Sequence, residues 1–585
     1  MLKMIKRALA IALTLSLGLL CVCGCSHNTP ATDTEQPDSP PEKPGTDPKD
    51  PTLEPEDPVT PPEDTEPAPE HPELFLPVIS VAPNQATTLL VAKSASGADG
   101  VTLGTLQGLA AKNSDTHILL RAGAWSLYLP YMQNAGAEVL EKDENGKNWT
   151  LSSLLSYYAP ELSGYILSSP ESLNVAISLA GLLNAVVVQP ENEQTALNAG
   201  LYMIMDARDK DDMWLRSSEY FAQLSRAVAV EQPASMAPKL VDYAVMAGAY
   251  FNFYDGSNAN EHADMFEFLD DGAVLLGWNN VLGEYETVKS LSKLNACLIP
   301  ADHACNLSTL SSFFGEGEVN VNLYASEDLD QSNVNNTDVH TVCIVMSDGD
   351  NLQWAMNDYA KKTFWYGSDL RGSFPMTWGL PALLGDLALP MLQYYAGQQT
   401  AKDEIIMQLS GLGYTFPSNW DEDAKRSMAQ TLADTMSQRG MRYMNILDDH
   451  GFTAQNMDAF TSQSQIAGIF YTDYANYAGY NGEILWSNGV PVVSARYRLW
   501  SGINGCDPES IAGSINSAPT GIYSENAYSF IIVHAWSGLD ANGNFVASGD
   551  TMAAVAKLVS LLDKDVEVVS ASEFMNRIKD NLAPQ

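Results

Sequence analysis

After residue 80, short runs of apolar residues alternate with stretches whose apolar residues recur at helical spacing. In the first part of this region, two apolar runs flank a helical stretch twice over, and each second run is entered through the tripeptide Leu-Asn-Ala. A looser third copy lies upstream. This alternation predicts parallel sheets built from divergent strand–helix–strand repeats. The paired runs are 164–167 with 183–188, 273–276 with 294–299, and 87–91 with 117–120.

The second part of the chain begins after a polar, Asn-rich segment at 330–338, which we interpret as a domain linker. Here the apolar runs are separated by helical stretches or long loops. Seven or eight strands with intervening helices favour a parallel β/α barrel, with a doubly wound open sheet as the alternative. The runs are 342–346, 374–378, 404–409, 442–447, 466–471, 490–494, 530–533 and 566–569.

The N-terminus has the pattern of an export signal. Lys3, Lys6 and Arg7 precede an apolar run at 8–22. The run ends in Val-Cys-Gly-Cys, which resembles a bacterial lipobox whose last cysteine, Cys25, is diacylated. An uncleaved membrane anchor is the alternative. Either arrangement places the rest of the chain on the extracellular face of the membrane, and the first makes it a lipoprotein.

The segment that follows is dominated by proline and acidic residues. Residues 27–77 contain 14 acidic residues and two lysines. With almost no apolar side chains to bury, this segment is predicted to be a disordered, extended stalk. We therefore expect a signal at 1–25, a stalk at 26–77, a repeat domain at 78–335 and a barrel domain at 336–585.

Net charge limits the classes of molecule that this protein is expected to bind, and the cysteine count limits its disulfide bonds. The formal net charge of −41 argues against nucleic acid and favours a neutral partner such as a polysaccharide. Four cysteines remain after the signal, which is too few for a disulfide framework in so long a chain. We expect buried thiols, with a bridge between Cys297 and Cys305 as the alternative; the other two are Cys343 and Cys506.

Polar side chains follow most of the predicted barrel strands, at the edge where parallel barrels carry their chemistry. Asp348-Gly349-Asp350 leaves the first strand directly, and the glycine permits a tight turn that aims both carboxylates into one pocket. Paired carboxylates can activate a water or bind a divalent cation. The other candidate substrate-binding residues at this edge, whose aromatic members could instead be core, are Trp378, Asp448, Tyr474, Arg496, His534 and Trp536.

A glycine-rich aromatic heptad, GLGYTFP at 411–417, follows the third strand. Its glycines permit a turn with positive φ, and Tyr414 offers a ring on which a sugar could stack, although a packed loop is the alternative. The heptad resembles the signature of the GxGYxYP family, with Phe416 in place of the second tyrosine. The SDGDN run at 347–351, Gly277-Trp278 and the segment 306–308 also resemble that family.

This resemblance covers nearly all of the chain after the stalk. It implies three divergent N-terminal repeats, a C-terminal seven-stranded β/α barrel and a glycoside hydrolase site in the cleft between them. It further implies a catalytic group made of a glutamate from the repeat domain and the two aspartates Asp348 and Asp350. Glu284 is the preferred glutamate and Glu286 the alternative.

The hypothesis from sequence is therefore a surface glycosidase without cofactor or metal. Glu284 protonates the leaving oxygen while the aspartate pair activates water, which is the inverting arrangement. A carbohydrate-binding surface protein without turnover and a metal-dependent hydrolase built on the aspartate pair are the alternatives. The expected partners are a carbohydrate substrate and, through the lipid, a membrane.

Overall fold

The structure is a computed structural model that describes residues 81–314, 319–323 and 337–584. The predicted signal, stalk and lipidated Cys25 lie outside these residues, as does most of the predicted linker. Within the described ranges, no helix has both the length and the apolarity needed to cross a membrane. The four cysteines after the signal are free thiols, and two of them, Cys297 and Cys343, are buried.

Three parallel sheets occupy the first part of the described chain. The first has the order β2-β1-β3, the second β5-β4-β6 and the third β10-β9-β7-β8. The strands are β1 (Thr88–Lys93), β2 (Thr116–Arg121), β3 (Glu138–Leu140), β4 (Gly164–Leu167), β5 (Ala185–Val188), β6 (Met203–Asp206), β7 (Val228–Glu231), β8 (Tyr250–Asn252), β9 (Val274–Leu276) and β10 (Cys297–Ile299).

Helices connect these strands and pack on one another. They are α1 (Gly97–Asn113), α2 (Trp125–Asn134), α3 (Leu151–Tyr158), α4 (Leu173–Leu183), α5 (Glu193–Asn198), α6 (Asp212–Ser217), α7 (Val241–Ala247), α8 (Ala259–Phe266), α9 (Glu284–Ser292) and α10 (Leu307–Leu310). Helices α1 and α4 approach α7 through glycines. A Cβ on Gly108 would lie 2.3 Å from Asp242 O, and one on Gly181 would lie 2.2 Å from Val245 O.

The repeats exist, but the copy predicted at 273–299 differs from the prediction. In each sheet the first strand is central and the second lies beside it, so β1–β2 and β4–β5 correspond to β7–β8. The pair 273–276 and 294–299 instead forms the third and fourth strands of its sheet. The shared Leu-Asn-Ala has a local cause, because Asn184 and Asn295 both adopt a left-handed conformation, with φ of 50° and 55°, just before a strand. Asparagine is one of the few residues that tolerates this geometry where a helix ends.

The second part of the described chain is built on one curled, mostly parallel sheet. Its order is β16-β17-β15-β14-β13-β12-β11-β19-β18, and β22 pairs with the first half of β11. The strands are β11 (His340–Met346), β12 (Met376–Leu380), β13 (Asp403–Met407), β14 (Tyr443–Asp448), β15 (Gly468–Asp473), β16 (Ile484–Ser487), β17 (Val490–Ser494), β18 (Tyr497–Leu499), β19 (Tyr528–Val533) and β22 (Val566–Val569), with β20 (Ser537–Leu539) and β21 (Phe545–Ala547) forming a separate hairpin.

Helices and long loops cover this sheet. Every residue of β11, β12, β13, β14, β15 and β19 is buried, as expected for strands covered on both faces. The helices are α11 (Leu352–Ala355), α12 (Asp358–Lys361), α13 (Leu384–Gln398), α14 (Glu422–Gln438), α15 (Ala454–Thr461), α16 (Pro508–Asn516), α17 (Thr551–Ser560) and α18 (Ala571–Leu582). The mixed α/β class is as predicted, and all eight predicted runs contain strands of this sheet.

Candidate active site

The turn after β11 presents two carboxylates. Asp348 adopts a φ of 63°, and the hydroxyl of Ser347 donates a hydrogen bond to its Oδ2. Gly349 is required for a different reason than the predicted tight turn: a Cβ there would lie 1.8 Å from the carbonyl oxygen of Gly379 in β12. The strand-end turn therefore lies flat against the neighbouring strand, and Asp348 carries the unusual backbone geometry.

Gln408, at the end of β13, holds this turn in place. Its Nε2 donates to Met346 O at 3.0 Å, and its Oε1 accepts from the backbone N–H of Gly349 at 3.3 Å. The side chain fits there because Gly379 has no Cβ; one would lie 1.8 Å from the Gln408 Oε1. Gln408 was missed from sequence, since its role depends on Gly349 in the turn after β11 and on Gly379 in β12.

Glu284 is the first residue of α9 and reaches the site from the third repeat. Its Oε1 accepts a hydrogen bond of 2.8 Å from the hydroxyl of Tyr414, while Glu286 is exposed to solvent. Burial and the charge of Asp348 raise the pKa of Glu284, and the bond from Tyr414 acts in the opposite direction. Of the two glutamates predicted as acid, Glu284 is therefore the one that faces the aspartates.

Asp350 is the most enclosed of the three carboxyls, with 7% of its surface exposed. Burial, then the charge of Asp348 and finally that of Glu284 raise the pKa of Asp350 to about 8. At neutral pH it is therefore mostly protonated. The three carboxyls predicted from the sequence share one poorly solvated environment, which is typical of catalytic acids and bases.

The heptad joins the two parts of the chain. Tyr414 pairs through its main chain with Leu298 of β10, donating at 2.7 Å and accepting at 2.9 Å. Gly413 permits this approach, because a Cβ on it would lie 2.8 Å from Leu298 O. Tyr414 is itself buried, with 4% exposure, so it holds Glu284 and presents no open ring for stacking. Phe416 is fully buried, with its ring centroid 5.4 Å from that of Tyr474.

Aromatic side chains lie near the three carboxyls of Glu284, Asp348 and Asp350. His534 stacks on Trp500 with ring centroids 3.8 Å apart and planes at 4°, and Tyr477 meets Trp500 edge-on at 5.0 Å. Burial lowers the pKa of His534, opposed by the charge of Asp348. Burial, followed by the charges of Glu284 and Asp348, raises the pKa of Tyr477.

Two of these aromatic residues, Trp500 and Tyr477, were missed from sequence. Trp500 directly follows β18, a strand that was not among the predicted runs, so a search at the ends of those runs did not include it. Two predicted binding residues lie nearby. Tyr474 is half-buried, and burial together with the charge of Glu284 raises its pKa. Trp536 is also half-buried, with its ring centroid 4.9 Å from that of Trp354.

Three predicted binding residues have other roles in the structure. Trp378 is fully buried and donates its indole N–H to Asp403 Oδ1 at 2.8 Å. Asp448 is also fully buried and accepts from Ser418 at 2.7 Å. Arg496 donates to main-chain carbonyls, including that of Tyr528 at 3.1 Å. These polar groups have protein partners, and a role for them in binding substrate stays a prediction.

Three family models match: "GxGYxYP_N second domain" at residues 162–224, "GxGYxYP third domain" at 225–312 and "GxGYxYP putative glycoside hydrolase C-terminal domain" at 338–579. The chain belongs to the GxGYxYP family. The match includes Glu284, Asp348, Asp350 and the heptad itself.

A solved relative extends the comparison to the fold. A crystal structure described as "a putative hydrolase from Bacteroides thetaiotaomicron VPI-5482" is 28% identical in sequence, with a TM-score of 0.75. The similarity covers 87% of this chain and 97% of that one. No curated protein is similar enough to this GxGYxYP protein to count as a match. The family and the solved relative together support a hydrolase role.

Proposed function

We propose that this GxGYxYP protein is a glycoside hydrolase whose catalytic group is Glu284, Asp348 and Asp350. The observation that carries the proposal is the electrostatic coupling of a glutamate from the third repeat with two aspartates from the curled sheet. Each raised pKa has the charge of a carboxyl from the same group among its causes. A protein that only binds carbohydrate has no need for that costly arrangement.

The proposed roles follow from burial and proton occupancy. Glu284 gives its proton to the glycosidic oxygen as the bond to the anomeric carbon breaks. Asp348 takes a proton from the water whose oxygen forms the new bond. Because Asp350 is mostly protonated at neutral pH, we assign it the role of a hydrogen-bond donor and not of that base. A water between acid and base gives inversion at the anomeric carbon.

The stacked rings of Trp500 and His534 supply a platform beside these carboxyls. Sugar rings present apolar C–H faces to aromatic side chains, and Trp500 is half-buried rather than enclosed. We assign the platform to the sugar residue next to the cleaved bond. The charge of Asp348 acts on His534 of this pair, which supports placing it close to the reacting bond.

Closure of the curled sheet into a seven-stranded β/α barrel is part of the proposal. Strands β17 and β18 belong to one extended segment between β15 and β19. Ala495 N–H donates to Tyr471 O in β15 at 2.9 Å, and Arg496 N–H donates to Phe530 O in β19 at 2.9 Å. These bonds support a closed order of β11, β12, β13, β14, β15, β17–β18 and β19. In such a barrel the active site lies at the carboxyl ends of the strands, and Asp348 follows the carboxyl end of β11.

The proposed location is the extracellular face of the membrane, with Cys25 lipidated. The basic and apolar pattern of the first 22 residues and the Val-Cys-Gly-Cys tetrapeptide support it. A glycan too large to enter a cell is the substrate class that suits an enzyme held there. The net charge of −41 favours a neutral polysaccharide or oligosaccharide.

The deciding experiment compares Glu284→Gln and Asp348→Asn with the matched control Glu286→Gln on a panel of neutral glycans. Removal of a general acid or base should lower reducing-sugar release about 10²–10⁴-fold, while the exposed control keeps wild-type turnover. Full turnover by Glu284→Gln would refute the assignment. Glycan binding without release by the wild type would indicate a binding protein. Loss of activity to a chelator would indicate the metal-dependent alternative.

A further inference from the structure

A second concave site lies in the third repeat, at the carboxyl edge of its four-stranded sheet. It encloses about 370 Å³, within the usual range for small-ligand sites. Three segments line it, 233–234 after β7, 253–255 after β8 and 279–281 after β9. None of the residues proposed for catalysis is among them.

The strand order explains why a cavity forms here. In the order β10-β9-β7-β8, the connection from β7 leads to one side of the sheet and the connections through β9 and β10 lead to the other. Loops that diverge in this way leave a crevice between the carboxyl ends of β7 and β9. In open parallel sheets, this point of reversal is where ligands bind.

The walls of the cavity are held in place by contacts within the protein. The hydroxyl of Tyr254 donates to Asn258 O at 2.8 Å and accepts from Asn258 N–H at 3.1 Å, which fixes its ring. Phe253 packs edge-on against Phe251 with centroids 5.2 Å apart. The cavity therefore keeps two aromatic side chains in defined positions.

One polar group in the wall has no hydrogen-bond partner among the described residues. Asn279 is 7% exposed, and its Nδ2 donates to Tyr254 O at 2.6 Å, but its buried Oδ1 accepts no hydrogen bond from the described residues. A buried acceptor without a donor is costly, and this one belongs to a residue that lines the cavity. Asp255 adds a second acceptor at the exposed margin.

The same walls exclude anionic ligands. All eight lining residues are described, and none of them is Lys, Arg or His. Aromatic rings, apolar Pro233 and Val281, and acceptors from Asn279 and Asp255 suit a neutral ligand with several hydroxyl donors. A sugar residue has this combination of apolar faces and hydroxyl edges.

The cavity is also close to the catalytic glutamate along the chain. Val281 stands three residues before Glu284, so their Cα atoms are at most about 11 Å apart. Val281 is 45% exposed, so it lies at the solvent-facing rim of the cavity. A glycan chain with one residue at Glu284 can therefore extend into this cavity.

We propose that this cavity is a subsite for a neutral sugar residue of the glycan cleaved at Glu284, remote from the scissile bond. The identity of the ligand rests on the proposed function. The location of the subsite rests on the cavity itself, its strand-order crevice and the unpartnered Asn279 Oδ1.

The test fills the cavity from its exposed rim with Ala234→Trp. The matched control is Ala401→Trp, at an equally exposed alanine just before β13, at the opposite end of the curled sheet from the carboxyls. Binding of neutral cello-, xylo- and malto-oligosaccharides of two to eight units is measured calorimetrically in a Glu284→Gln background. Val281→Trp serves as a second filling variant, and thermal unfolding confirms that each variant is folded.

The expected result is an affinity about tenfold lower for the longer oligosaccharides in Ala234→Trp, with the shortest unaffected and Ala401→Trp unchanged. Equal affinities of the two tryptophan variants for the longest ligand would overturn the subsite, as would an absence of binding by the unfilled protein. The proposed function fails separately: turnover retained in Glu284→Gln would refute the catalytic assignment, while length-dependent loss in Ala234→Trp would still support the subsite.

Discussion

The hydroxyl of Tyr414 donates a 2.8 Å hydrogen bond to Glu284 Oε1, across the boundary between the third repeat and the curled sheet. This bond connects the heptad at 411–417, the signature of the family, to the three carboxyls. It also explains the enclosed position of the tyrosine, since a ring that orients a catalytic side chain must itself be fixed by its surroundings.

Tyr414→Phe is expected to move the alkaline limb of kcat/KM. The lost bond favours ionised Glu284, so its removal raises the pKa of that glutamate and keeps the acid protonated to higher pH. We expect the limb to move to higher pH, together with about a tenfold loss of rate from poorer positioning. Tyr158→Phe, which removes a buried hydroxyl in the first repeat, is the control. An unmoved alkaline limb would contradict the role given to this bond.

Asp350→Asn is expected to change how stability depends on pH. The folded protein holds a proton on Asp350 up to a pKa of about 8, whereas an unfolded aspartate loses it near pH 4. The native state binds more protons between these values, so the free energy of unfolding falls as pH rises from about 4 to 8. Asp350→Asn removes this decrease, so its free energy of unfolding should rise relative to that of the wild type as the pH approaches 8.

Denaturant unfolding at several pH values measures this effect. Glu286→Gln, which alters an exposed carboxyl, provides the control and should leave the pH dependence unchanged. If wild type and Asp350→Asn show parallel stability curves from pH 4 to 8, Asp350 is not protonated in the folded protein.

Gly349→Ala should damage both the fold and the site. Its Cβ would lie 1.8 Å from Gly379 O, a backbone atom that cannot move away cheaply. We expect a loss of about 1–3 kcal/mol in the free energy of unfolding, together with a large loss of turnover as Asp348 shifts. Gly513→Ala in α16, with open space around its Cβ, should instead be neutral or stabilising. Equal stabilities for these variants would argue against the close strand contact.

Trp500→Ala tests the aromatic platform. Loss of the ring that stacks on His534 should raise KM about tenfold with a smaller effect on kcat, because the proposed platform contacts substrate outside the reacting bond. Trp486→Ala, in β16, removes another half-buried indole and should leave KM unchanged. A fall in kcat at constant KM would instead place Trp500 in the chemistry.

Cys25→Ser should release the protein from the membrane fraction. The proposed lipid is attached through the thiol, so the variant should also lose incorporation of an alkyne-labelled fatty acid in cells. Cys23→Ser, two residues earlier, is the matched control and should remain anchored. Retained labelling in Cys25→Ser would contradict the site of lipidation.

The strands and the two aspartates of the site could be predicted from sequence because each depends on a pattern of neighbouring residues. Apolar runs of strand length located β11 and β19, and Asp348 and Asp350 follow the end of such a run directly. The pairing of these aspartates with Glu284 came from the family resemblance. No local pattern places residues 284 and 348 beside each other.

The features that could not be predicted depend on packing between segments that are far apart in the sequence. Trp378 lies on a strand whose residues are all buried, so its indole packs inward and bonds Asp403. Gln408 acts only because Gly349 and Gly379 leave space on the adjacent strands. The repeat pairing was misassigned because Asn184 and Asn295 share a local turn, although the strands that follow them hold different positions in their sheets.

The main-chain pairing of Tyr414 with Leu298 has a consequence for truncated forms of the protein. Under the proposed assignment, a cut between residues 312 and 338 divides the acid from the base, so each fragment is chemically inert. Mixing two separately purified fragments should restore turnover only where they reassemble along this pairing. Recovered activity would then act as a reporter of complementation, with a rate that depends on fragment concentration.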